Sequence, residues 1–121
     1  QYVGRNALDG ASLDRFVAFS FDYDKSLEKA LYPNSNLLEF VWEARKIAFE
    51  NQIRHIFSTR TIKYAYEMEE AGFELDTIIQ SVIVKEMNAD DINLIIKNMS
   101  IERSNNPYLD KLYYIVDMIK D

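Results

Sequence analysis

The sequence contains no cysteine and only one histidine, His55. Disulfide frameworks and cysteine-based zinc sites are therefore excluded, and a lone histidine leaves little for a histidine-rich metal site. Only 3 glycines and 2 prolines occur in 121 residues, too few for a collagen-like chain or a long flexible linker. No apolar run approaches the roughly 18 residues of a membrane span, and residues 1–10 lack the basic start and apolar core of a signal peptide. We therefore expect a compact cytoplasmic protein without a metal centre or membrane contact.

Basic residues are scarce in the second half of the chain. Residues 1–60 carry 8 basic and 8 acidic side chains, whereas residues 61–121 carry 6 basic and 12 acidic ones. Because proteins that bind nucleic acids concentrate lysine and arginine on one face, no nucleic-acid partner is expected. The glycine-rich motifs GxxxxGK[ST] and GxGxxG are also missing, so the chain has no phosphate-binding loop of this kind.

Helical spacing dominates the chain after residue 35. Apolar residues recur three and four positions apart, as on one face of an α-helix. Asp24 is a predicted N-cap for a short helix over residues 25–31, which Pro33 closes. Five longer helices follow, and Gly72 is the predicted stop of the second. These five are predicted to begin at Ser35, after a cap at Ser58, near Leu75, after a cap at Asn88, and at Pro107 after a cap at Asn106.

The first part of the chain has a different pattern. Residues 7–15 predict a short helix, and the run FVAFSF over residues 16–21 predicts a strand that is apolar on both faces. Because no second strand is evident and the sequence begins with glutamine, we expect a fragment whose other strands lie elsewhere. The predicted division is residues 1–23, the end of an α/β domain, and residues 24–121, a helical domain.

Two arginines are candidate functional residues. Arg60 follows the predicted cap Ser58, where the positive end of the helix dipole makes a cation mildly unfavourable unless an anion joins it. The other interpretation is that Arg60 extends into solvent or pairs with a neighbouring carboxylate. Arg15 ends the first predicted helix, where a cation is favourable, and physical chemistry alone assigns it a structural role first.

Two segments carry a resemblance to a known family: GRNALDGASLDRF over residues 4–16 and IFSTR over residues 56–60. Their order and separation resemble the C-terminal part of AAA+ ATPases of the dynein-related and MoxR-like branch. This branch is similar to the ATPases that remodel rubisco and nitric-oxide reductase and to phage relatives. The implied fold is mainly α: a helical AAA+ lid-type domain preceded by the last helix and strand of a P-loop α/β core.

The resemblance also implies roles for single residues. Arg15 would be the arginine finger that acts in trans on the neighbouring subunit's ATP. Arg60 would be the sensor 2 arginine acting in cis, with Ser58 and Thr59 beside the nucleotide. The full-length protein would use ATP and Mg²⁺, assemble with neighbouring ATPase subunits into a hexameric ring, and remodel a partner protein. This chain carries neither Walker A nor Walker B, so no hydrolysis is expected from it alone.

The alternative belongs to another class of function. A stand-alone helical interaction domain, which binds a partner helix in apolar grooves, would show the same helical spacing and need no nucleotide.

The isolated chain is expected not to bind ATP tightly, because the loops that hold the phosphates in this family are absent from it. Isothermal titration calorimetry with ATP and Mg²⁺ tests this expectation. A dissociation constant of about 1 μM would contradict it, because affinity of that order requires about 8 kcal/mol from contacts within the chain.

Overall fold

The computed structural model describes residues 24–120, which form six α-helices, a π-helical turn and a 3₁₀ turn. Residues 1–23 lie outside the described part, and with them the predicted helix over 7–15, the predicted strand over 16–21 and Arg15. No strand occurs among the described residues, so this part of the chain is mainly helical, as predicted. The six helices are α1 (Lys25–Leu31), α2 (Ser35–Glu50), α3 (Thr59–Glu70), α4 (Leu75–Ile78), α5 (Ala89–Asn98) and α6 (Pro107–Lys120).

The helix starts lie where the capping residues predict them. Asp24 accepts a hydrogen bond from the Leu27 N–H at 3.0 Å. Asn88 accepts one from the Asp91 N–H at 2.8 Å. Helix α3 ends at Glu70, and Gly72 follows with a φ of +94°, a conformation that costs glycine little.

One predicted helix differs from its sequence pattern. Helix α4 has only 4 residues and continues as a π-helix over Ile79–Ile83, in which the Val84 N–H donates to the Ile79 carbonyl at 2.9 Å. Ile83 and Val84 are buried five positions after Ile78 and Ile79, and a π-helix joins residues at that spacing. The helix predicted from Leu75 therefore begins there, but it is α-helical only over Leu75–Ile78, and the four buried residues lie at the spacing of the π-helix that follows.

The core lies between α2 and the four helices that follow it. Phe40 on α2 stacks on Tyr108 at the start of α6, with ring centroids 6.0 Å apart. Asn106 fixes this contact: its side chain accepts hydrogen bonds from the N–H groups of Tyr108 and Leu109 and donates to the Asn36 carbonyl at 2.9 Å. Helix α6 is therefore both capped and joined to the start of α2 by one buried side chain.

No helix within residues 24–120 is long and apolar enough to cross a lipid bilayer.

Asn106→Ala is expected to lower the free energy of unfolding by about 1–3 kcal/mol, because it removes a cap and a buried hydrogen bond between helices. Urea denaturation followed by circular dichroism measures the change. Asn105→Ala is the matched control, since Asn105 is exposed on the 3₁₀ turn. Equal stability of the two variants would contradict this account of the cap.

Candidate functional site

The start of α3 carries three of the residues singled out in the sequence. Ser58 is the N-cap, and its hydroxyl accepts a hydrogen bond from the Thr61 N–H at 3.3 Å. Thr59 is the first helical residue and is half-buried, whereas Arg60 is the second and is exposed. The structure therefore brings these side chains to one turn and gives them different environments.

Arg60 projects from a helix end without an acidic neighbour in the turn. The first turn of α3 contains no aspartate or glutamate. Among residues 24–120, Arg60 forms no hydrogen bond or ion pair with another side chain. Because unpaired N–H groups give a helix N-terminus a positive partial charge, this turn is suited to an anion.

Thr59 is engaged inside the protein. Its hydroxyl donates a hydrogen bond to Glu28 Oε2 at 2.6 Å. Glu28, on α1, is 1% exposed and forms an ion pair with Arg45 of α2, with Arg45 Nη2 at 2.8 Å from Oε2 and Nη1 at 3.1 Å from Oε1. Trp42 Nε1 donates to Oε1 at 2.8 Å. We call these four residues, Glu28, Trp42, Arg45 and Thr59, the Glu28 network.

The network also holds the residue before the cap. Arg45 Nε donates to the Phe57 carbonyl at 2.6 Å. The Phe57 carbonyl, before Ser58, and the Thr59 hydroxyl, after it, are therefore both hydrogen-bonded to the same buried ion pair. The direction in which α3 leaves the preceding connection depends on α1 and α2.

The electrostatics of Glu28 follow from these contacts. Burial by itself raises the pKa of this carboxyl, since it disfavours the charged form. The hydrogen bonds from Arg45, Thr59 and Trp42, together with the positive charge of Arg45, outweigh burial and hold the pKa of Glu28 below its usual value. Glu28 is therefore ionised in the folded protein at neutral pH.

The Glu28 network was not predicted from the sequence, although the sequence contains one signal for it. Val41, Arg45 and Ala48 are spaced by four and three residues, so Arg45 lies on the buried stripe of α2. A charged residue on such a stripe indicates a buried partner of opposite charge. The short helix α1 offered no comparable signal for Glu28.

A cleft of about 490 Å³ lies beside the first turn of α3, with Thr61 on its wall. Its other walls come from the connection before α3, the π-helical turn and the start of α5. Both signs of charge line it, Arg54 and Lys85 against Glu86 and Asp91. A lining of mixed charge favours neither an anionic nor a cationic ligand.

His55 also lines the cleft, and its contacts are structural. Its Nε2 lies 2.8 Å from the Ile83 carbonyl, and its ring packs edge-on against Phe57 with centroids 4.7 Å apart. The ring therefore joins the connection before α3 to the π-helical turn. Within residues 24–120, no group of three or more histidine, cysteine, aspartate or glutamate side chains is arranged to hold a metal ion.

Comparisons of the chain with protein-family models, with curated proteins and with solved structures give no match.

The free energy of unfolding is expected to fall at low pH because Glu28 becomes protonated. A group whose pKa is lowered by folding contributes stability that is present above its unfolded pKa, here about 4.5, and that is lost as the pH falls through the folded value. Urea denaturation across pH ~7 to ~3 should therefore show a steeper loss of stability for the wild type than for Glu28→Gln.

The matched control is Glu39→Gln, because Glu39 is an exposed residue of α2. It should keep the pH dependence of the wild type. Parallel stability curves for Glu28→Gln and the wild type would show that the ionisation of Glu28 does not stabilise the fold.

Proposed function

We propose that this chain is the C-terminal, lid-type part of an AAA+ ATPase, which couples ATP binding and hydrolysis to the remodelling of a partner protein. The observation that carries the proposal is Arg60: an exposed arginine in the first turn of α3, with no acidic residue in that turn and no partner among residues 24–120. The resemblance of residues 4–16 and 56–60 to this family supports it.

Arg60 would act as the sensor 2 residue of its own subunit. A guanidinium group can donate two parallel hydrogen bonds to phosphate oxygens, and the helix dipole adds to the attraction. Ser58 and Thr59 both have structural partners, Thr61 and Glu28. Arg60 would therefore supply the side-chain contact of this turn, while Ser58 and Thr59 shape the turn around it.

Arg15 would be the arginine finger in trans, as the resemblance implies. Such a finger stabilises charge on the phosphoryl group as it leaves, an effect of about 10³–10⁵ in rate in the GTPases. ATP and Mg²⁺ would lie between the core and the lid of one subunit. Closure of the lid would move that subunit against its neighbour in a ring. The resemblance implies that this ring is a hexamer.

A second candidate is a stand-alone interaction domain. The last turns of α6 expose three large apolar side chains, Tyr114, Met118 and Ile119, each more than half exposed. Exposed apolar groups this close together are typical of surfaces that bind another protein. The two proposals differ in one observable: only the first requires Arg60 to affect ATP turnover.

The decisive experiment uses the ATPase assembled with this chain as its C-terminal part. Arg60→Ala is expected to lower ATP turnover at least tenfold, because the phosphate loses a charged donor. Arg54→Ala is the control, since it removes an exposed arginine from the connection before α3. Unchanged turnover in Arg60→Ala would contradict the sensor 2 role and favour the interaction domain.

Mixed rings separate a cis role from a trans role. Arg15→Ala subunits mixed with subunits inactive in Walker A should recover activity, because an intact loop then meets an intact finger at mixed interfaces. Arg60→Ala subunits in the same mixture should show no recovery, because Arg60 and the loop serve the same nucleotide. If mixed rings form but those with Arg15→Ala subunits recover no ATP turnover, the arginine-finger role of Arg15 is contradicted.

A further inference from the structure

The Glu28 network surrounds the start of α3 on both sides of its cap. Glu28 Oε2 accepts from the Thr59 hydroxyl at 2.6 Å, and the paired Arg45 donates to the Phe57 carbonyl at 2.6 Å. Ser58 lies between these two residues and caps the helix with its own hydroxyl. Three consecutive residues are therefore held by directional hydrogen bonds, two of them to one ion pair.

Holding Thr59 also determines where Arg60 points. Successive side chains of an α-helix are about 100° apart around its axis. With Thr59 turned inward to Glu28, the next residue is turned towards the surface, and Arg60 is exposed there. A rotation of this turn that broke the contact between Thr59 and Glu28 would move Arg60 by the same angle.

We propose that Glu28 is a positioning residue for Arg60, acting through the Thr59 hydroxyl. The inference rests on the proposed function in one respect, namely that the direction of Arg60 affects ATP turnover. The geometric part is independent of it. Because Glu28 belongs to α1, a displacement of α1 relative to α2 is transmitted to the first turn of α3.

The substitution that isolates this role is Thr59→Val. It keeps the shape of the side chain and replaces only the hydroxyl, with a methyl group, while Glu28 retains its bonds to Arg45 and Trp42. Glu28→Gln is less suitable, because it removes the charge that pairs with buried Arg45 and so perturbs the whole network rather than one contact. Thr59→Ser restores the hydroxyl. Thr61→Val is the matched control. It makes the same change in the same turn, but the Thr61 hydroxyl lies 3.4 Å from Ser58 Oγ and does not belong to the Glu28 network.

The geometric part is tested in the isolated chain by NMR. Residual dipolar couplings of the N–H groups of residues 59–62 report the direction of this turn relative to α2. Thr59→Val should change these couplings and leave those of α2 and α5 unchanged, whereas Thr59→Ser and Thr61→Val should resemble the wild type. A residue that only stabilised the fold would change the thermal midpoint without redirecting the turn. Wild-type couplings in Thr59→Val would overturn the inference.

The functional part is tested in the assembled ATPase. A misplacement of about 1 Å can cost up to about 10²-fold in rate, so Thr59→Val is expected to lower kcat about tenfold with KM within about twofold. Recovery by Thr59→Ser would support the role of the hydroxyl. If Arg60→Ala abolishes turnover while Thr59→Val keeps the wild-type kcat, the inference is wrong and the proposed function stands. If Arg60→Ala has no effect, the proposed function is wrong, and the couplings alone decide whether Glu28 positions the turn.

Discussion

The buried ion pair between Glu28 and Arg45 is the interaction on which the arrangement of α1, α2 and α3 depends. The two side chains are 1% and 7% exposed. Removing charges from water costs several kcal/mol per ion, and attraction offsets that cost only where hydrogen bonds satisfy the remaining polar atoms. Glu28 meets this condition with donors from Arg45, Trp42 and Thr59. Loss of either charged partner would leave the other buried without this compensation.

Helix α1 shows most clearly how much depends on the pair. It has 7 residues, too few for a stable helix in isolation, and Glu28 is its only buried residue. Leu27 and Leu31 are about half exposed, and Tyr32, just after the helix, packs on Tyr66 with ring centroids 5.6 Å apart. Among residues 24–120, apolar packing therefore does little to fix α1. A directional ion pair, rather than buried area, determines where this helix lies.

The sequence predicted the parts of the fold that depend on local chemistry. Asp24, Ser58 and Asn88 are helix caps as predicted, and a cap needs only the residues of its own first turn. The π-helical turn was missed because apolar residues from Leu75 onward also fit α-helical spacing, and only the contacts of the folded core distinguish the two. The Glu28 network joins residues up to 31 positions apart, which no local pattern reveals. Arg60 could be located from the sequence, but the role proposed for it involves a bound nucleotide, which the chain's own residues cannot display.

Arg60 and the Glu28 network are interpreted best when they are considered together. An exposed arginine is ordinary on a protein surface, and in the first turn of a helix it even costs about 0.3–1 kcal/mol against the dipole. A buried ion pair is likewise compatible with a purely structural role. Here a turn held on both sides of its cap by the Glu28 network carries an exposed cation that has no side-chain partner among residues 24–120. Stability explains why Phe57 and Thr59 are held, but it does not explain why the residue held in place beside them is an arginine directed outward. An anion that arrives from outside the described residues would explain both.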